Sequence, residues 1–185
     1  MKRIYVLIIV AIATALPAVK SQTVAVKTNL LYDATSTINL GLEIGMSPLW
    51  TLELPVNYNP WDLGEDRKIK HWLIQPEARY WLCQRFNGQF VGVHGHMGGY
   101  NIGGIKLIGM EDFRYEGSFY GAGLSYGYHW VLNTRWSIEA TIGLGYALID
   151  YSKYECEKCA KKLKDDTRHY LGPTKAGVSL IYVIK

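Results

Sequence analysis

In WTLELPVNY (residues 50–58) the even positions Trp50, Leu52, Leu54, Val56 and Tyr58 are apolar or aromatic, whereas Thr51, Glu53, Pro55 and Asn57 are polar or turn-forming. Successive side chains of an extended strand point to opposite faces, so this alternation writes a β-strand with two unlike sides. The fold turns on what the apolar side touches: the core of a soluble sheet, or the hydrocarbon of a membrane.

The same rhythm recurs through 23–33, 38–46, 71–82, 89–99, 118–130, 135–148 and 174–185. INLGLEIGM (38–46) sets Ile38, Leu40, Leu42, Ile44 and Met46 against Asn39, Gly41, Glu43 and Gly45. RWSIEATIGLGYAL (135–148) sets Trp136, Ile138, Ala140, Ile142, Leu144, Tyr146 and Leu148 against Ser137, Glu139, Thr141, Gly143 and Gly145. Together the rows predict about eight strands, an even number as in bacterial outer-membrane barrels. Short turns at 47–48, 83–88 and 132–134 alternate with long polar connections at 59–70, 101–117 and 150–168, and only 34–37 breaks the rhythm. Short periplasmic turns and long outer loops are the habit of such barrels.

Two features favour lipid outside over a lipocalin-like barrel or a sandwich. Aromatics bracket the apolar rows at matched spacing: Trp50 and Tyr58, Trp72 and Tyr80, Tyr120 and Tyr128, and, slightly wider, Trp136 and Tyr146. Eight tilted residues rise on the order of 20 Å, close to the roughly 25 Å apolar band that aromatic girdles flank in a membrane barrel. The opposite face mixes Gly and Ser with a few charges, which suits a narrow interior better than a solvated surface. Those charges need partners, so Glu43, Glu53, Glu77 and Glu139 are expected to pair inside with Lys27, Arg79 and Lys175. Pro55, Pro76 and Pro173 each remove a ladder donor, which predicts bulges or displaced strand ends.

The start, MKRIYVLIIVAIATALPAVKSQ (1–22), has Lys2 and Arg3 before a short apolar run and then small residues. This is the pattern of a cleaved secretory signal peptide (1–21), leaving 22–185 as one domain. The full chain carries 20 basic and 16 acidic residues; without Lys2, Arg3 and Lys20 the balance is 17 against 16. That near-neutrality excludes a nucleic-acid binder.

Chemistry is sparsely written. His94 and His96 share a face with His129 of the next strand, and three imidazoles are the minimum for a zinc site with an open position. Hydrogen bonding within a polar interior explains them as well, and no cofactor is assigned. Cys156 and Cys159 form a CxxC in a charged segment, where an oxidising compartment favours a small disulfide loop over redox or metal work. The glutamates resemble the paired carboxylates of glycoside hydrolysis, but a filled barrel denies a sugar access between them. The run around Lys158, Lys161, Lys162 and Lys164 is mixed in sign with Glu155, Glu157, Asp165 and Asp166 and reads as a solvated loop.

KTNLLYDATSTINLGLEIGM (27–46), LPVNYNPW (54–61) and IQPEARYW (74–81) resemble the Bacteroidetes outer-membrane β-barrel family known as domain of unknown function 3575. The resemblance implies an outer-membrane barrel, with some relatives encoded beside surface-fimbria components, and brings no catalytic residue. Lys185 departs from the aromatic that often ends the last strand of such barrels.

The expectation is therefore an all-β protein: one antiparallel up-and-down transmembrane barrel of about eight strands in the outer membrane of a Gram-negative bacterium. Its role is expected to be non-enzymatic, structural or surface-binding, with lipid around it and an extracellular or envelope protein partner on the long loops. An envelope enzyme working near Asp62, Asp150 and His169 is the alternative, and a diffusive pore the third.

Overall fold

Backbone pairing carries the sheet well beyond the reach of the apolar rows. A computed structural model describes residues 23–61, 68–105, 110–155 and 162–184. The predicted signal peptide, Asp62, the Cys156–Cys159 pair, Lys158, Lys161 and Lys185 lie outside the described residues. Strands β1 (Val24–Asn29), β2 (Ile38–Gly45), β3 (Trp50–Asn59), β4 (Lys68–Ile74) and β5 (Glu77–Trp81) are short; a helical turn, α1 (Leu30–Ala34), joins the first two. The remaining strands, β6 (Gly88–Ile105), β7 (Met110–Val131), β8 (Trp136–Glu155) and β9 (Lys162–Ile184), have 18 to 23 residues each, against 5 to 10 in the first five.

All pairings are antiparallel, and β9 returns to β1, with Ser179 opposite Asn29 and Ile184 opposite Val24, so the sheet closes. β4 and β5 both lie between β3 and β6 and keep one register across Gln75 and Pro76. They are one strand, interrupted where proline has no amide hydrogen to give. The nine segments thus form an eight-stranded barrel.

The apolar rows face out. Leu52 and Leu144 are 47% and 61% exposed, whereas their neighbours Glu53 and Glu139 are 4% and 2% exposed. The outer aromatics form two tiers. Trp50 and Tyr80 pair across β3 and β5 near the short turns, with ring centroids 5.1 Å apart, and Tyr128 and Trp136 stand at the same end. Tyr58 and Trp72 pair at the opposite end, as do the neighbouring positions of Tyr120 and Tyr146.

Three expectations need correction. Residues 30–33 do not continue β1. The Asn29 side chain accepts from Leu31 N, and Asn39 Nδ2 donates to Asp33 Oδ1 at 2.6 Å, so side-chain bonds turn the backbone into α1. Much of 101–117 and 150–168 is strand, not loop: β6 runs up to Ile105, β7 begins at Met110, β8 ends at Glu155 and β9 starts at Lys162. The outward apolar row that marks the lower strands does not continue there, while ladder bonds form between backbones regardless of side-chain polarity. Among the prolines, only Pro173 accompanies a bulge. Gly143 faces Lys175 and Leu144 faces Pro173, leaving Thr174 as the extra residue. Pro55 keeps its place opposite Gly41, and its carbonyl accepts from Gln75 N at 3.2 Å.

Since β1 covers only the last six residues of β9, the upper part of β9 has β8 on one side and a strand-free edge on the other, among the described residues. Asn29 reaches across that edge: its Nδ2 donates to Ala176 O and its Oδ1 accepts from Val178 N, both at 3.3 Å.

Candidate functional site

The barrel interior is built in three layers. At the short-turn end Trp81, Phe86 and Phe90 close the lumen with Ala25 and Ile181. Trp81 lies 5.0 Å from Phe90 and 5.8 Å from Phe86 between centroids, and its Nε1 donates to Thr51 Oγ1 at 2.9 Å. Phe86 takes a left-handed backbone, φ 59°, that non-glycine residues avoid; burial of its ring in the plug offsets that cost. The sequence reading missed this plug, although Trp81 continues the inner row of Glu77 and Arg79, and Phe90 shares the phase of His94 and His96.

Above the plug the structure brings all seven predicted charged residues together. Arg79, fully buried, stacks over the Phe90 ring at 4.3 Å and donates to Glu77 at 3.2 Å, Glu43 at 3.1 Å and Glu139 at 2.9 Å. It also pairs with Glu53. Lys27 Nζ stands 2.5 Å from Glu43, 3.2 Å from Glu53 and 3.1 Å from Glu139. Lys175 pairs with Glu77 and reaches Glu53 at 3.1 Å. Hydroxyls complete the carboxylates: Thr51 donates to Glu43 at 2.5 Å, Ser125 to Glu77 at 2.6 Å and Thr141 to Glu139 at 3.0 Å. Three cations and four carboxylates so placed hold one another in a narrow channel, where an unpaired charge would be prohibitive. The free space among them is about 30 Å³, enough for a water or so and no passage for a solute.

Glycines decide how tightly this layer fills. A Cβ on Gly92 would collide with Glu77 Oε1 and Ser125 Oγ, and one on Gly127 with the Phe90 ring. At these two positions the inner wall of β6 and β7 is bare, so that Glu77 from β5 and Phe90 from β6 can cross the lumen.

The top layer is different. His96, Gln75 and Thr174 floor a cavity of about 420 Å³ whose walls are Leu73, Tyr100, Ile102, Phe119, Ala147 and Ile149, with Tyr32 and Tyr170 beside the open edge of β9. Gln75 Nε2 donates to Thr174 O at 2.9 Å, and His94 Nε2 lies 3.0 Å from Thr174 Oγ1. His96 is 5% exposed, and neither of its ring nitrogens meets a hydrogen-bond partner among the described residues.

The three predicted imidazoles do not converge. His94 and His96 are neighbours at 5.6 Å between ring centroids, in the upper barrel. His129 faces Gly88, six residues further down β6 from His94, and packs on Trp81 at 5.5 Å with Glu139 at 3.5 Å from its Nδ1. Six residues of strand separate them by roughly 20 Å, far beyond a shared metal. Outside, Asp150 accepts from Thr167 Oγ1 at 2.7 Å, and His169 pairs with the Tyr146 hydroxyl. Their side chains are thus committed to different partners. Near them the tall wall carries a shallow polar concavity of about 730 Å³ lined by Glu116, Ser118, Asp150, Tyr151, Asp166 and Thr167. Cys83 is exposed with a free thiol in the turn after β5.

No curated protein and no solved structure matches the chain. A family model described as Protein of unknown function (DUF3575) matches residues 6–184. With nearly its whole length covered, the chain belongs to the DUF3575 family, and in this chain that family's sequence folds as a closed eight-stranded β-barrel.

Proposed function

We propose that this protein is an outer-membrane barrel of a Gram-negative bacterium whose role is non-enzymatic: it anchors a tall β-wall above the bilayer as a docking surface for an envelope or extracellular protein. Support of surface-structure assembly, such as that of fimbriae, is the process this reading favours.

The change of character along the outer face of β7–β9 carries the proposal. Below Tyr120 and Tyr146 that face is a continuous row including Leu124, Tyr126, Ile142 and Leu144. Exposed apolar area of that extent is untenable in water and natural against hydrocarbon. Above the aromatic tier the outward positions become Ser118, Glu116, Asp150, Ser152 and Thr167, yet the strands continue. From Tyr120 to Met110 a tilted strand climbs about 25 Å beyond the band. The polar concavity lies on this wall, and its Glu116, Asp150 and Asp166 suit a partner that presents lysine or arginine. The charged layer below leaves no continuous lumen, which disfavours a pore.

Photocrosslinking residues placed at Ser118 and Ser152, activated in native envelopes, test the reading. A discrete protein adduct absent from controls substituted on the lipid face at Leu144 is expected. Recovery of lipid and insertion machinery alone from all three positions would overturn the docking role. Fractionation of the same cells tests the outer-membrane assignment separately.

A further inference from the structure

The cavity above the charged layer is unlike the rest of the interior. The barrel fills its lumen elsewhere, yet here about 420 Å³ stays open, within the size range of small-molecule sites and mostly apolar as those sites are. Two glycines keep it so. A Cβ at Gly98 would stand 2.6 Å from the Phe119 ring, and one at Gly121 2.6 Å from His96 Nε2. Because both lack a side chain, Phe119 and His96 lie back against the wall, with centroids 6.3 Å apart, instead of crossing the lumen.

The depth order is informative. Register places His96 opposite Gly121 and Ala147 opposite the same residue, with Phe119 and Ile149 one level up. Tyr100 and Ile102 lie higher still. The cavity is therefore polar at its floor and, apart from His71 at the level of Tyr100, apolar towards its mouth. In its neutral form an imidazole offers one donor and one acceptor, and both are better met by a ligand than left buried and unpaired. Beside the cavity, Tyr32, Tyr170 and Pro173 border the edge of β9 that no described strand covers, where the helical turn α1 lies against it.

We infer that this cavity binds a single-chain amphiphile, its terminal hydroxyl or carboxyl group on the His96 imidazole and its hydrocarbon chain along Phe119, Ile149, Tyr100 and Ile102. A bulky headgroup does not suit the floor, since His96 is buried and Gln75 and Thr174 close the space beside it. The inference is independent of the docking role of the wall.

The test uses the full chain folded in nanodiscs of diacyl phospholipid, with radiolabelled dodecanoic acid as probe and empty discs as blank. Saturable binding is expected, with competition by dodecan-1-ol and about tenfold weaker competition by dodecane, which lacks the polar end. His96→Phe should weaken acid binding about tenfold while leaving dodecane unaffected, and Ala147→Phe should abolish both by filling the cavity. Ala147→Leu, a smaller filling, serves if the larger one fails to give the heat-modifiable folded form. The absence of saturable binding, equal competition by dodecane, or binding unchanged in every folded variant would each overturn the inference. None of these outcomes bears on crosslinking from Ser118 and Ser152.

Discussion

The lower and upper halves of the barrel interior use the same raw material to opposite ends. Below, Gly92 and Gly127 give up their side chains so that Glu77 and Phe90 can cross the lumen, and the space is consumed. Above, Gly98 and Gly121 do the same for Phe119 and His96, but these rings fold back and the space survives. The difference lies in what stands opposite. The short wall of β1–β5 supplies Lys27, Glu43, Glu53 and Arg79 at the lower level. Its first three strands end at Asn29, Ile38 and Asn59 and only β4 climbs further, to Lys68 opposite Gly103, so the tall wall has little facing it higher up. A lumen fills where two walls meet and stays open where one wall outruns the other.

Substitutions should separate the halves by the size of their effect, read as urea-dependent loss of the heat-modifiable folded form in lipid vesicles. Arg79→Ala should be most damaging, at about 3–5 kcal/mol, because it takes away the one cation that four buried carboxylates share and leaves them to two lysines. Trp81→Ala, which opens the plug, should follow closely at about 3–5 kcal/mol. If either proves silent, the lower half is not the filled layer described above. On the outside, Leu124→Arg should cost about 2–4 kcal/mol at mid-band, and Ser118→Arg no more than about 1 kcal/mol beyond it. Equal costs at the two positions would erase the boundary between lipid and water. The smallest contrast is the sharpest. Gly127→Ala should cost about 1–3 kcal/mol by collision with Phe90, whereas Ala147→Leu, growing into open space, should cost less than about 1 kcal/mol.

Legibility in the sequence follows the same division. Where one face is dry and the other wet, as along 50–58 or 135–148, period-two alternation determines which residues face in, and the charged cluster could be assembled by matching signs on the inner rows. Above the band the outer face turns polar while Tyr100, Ile102, Phe119 and Ile149 take the inner one, so the apolar row changes sides, the alternation loses its phase, and 101–105 and 162–168 pass for loop. The failure at His129 has another origin. Phase tells which face a side chain takes but not its height, and strand register put His129 beside Trp81 rather than His94. The apolar plug went unseen because Trp81 and Phe90 sit on the inner rows, where hydrophilic residues were expected. The upper cavity could not be foreseen at all, since it depends on unequal strand lengths.

The extra residue at Thr174 has a reach larger than its size. It lets two consecutive side chains point into the lumen, Thr174 towards His94 and Lys175 towards Glu53 and Glu77. It also reverses the parity of everything before it in β9, which is why Leu171 is 83% exposed although Val178 and Ile184 take the outward side on even numbers. Excising that single residue would act like a frameshift written in space. Leu171 would swing inward, Tyr170 would turn outward, and the stretch from Lys164 to Pro173 would present each side chain to the wrong face.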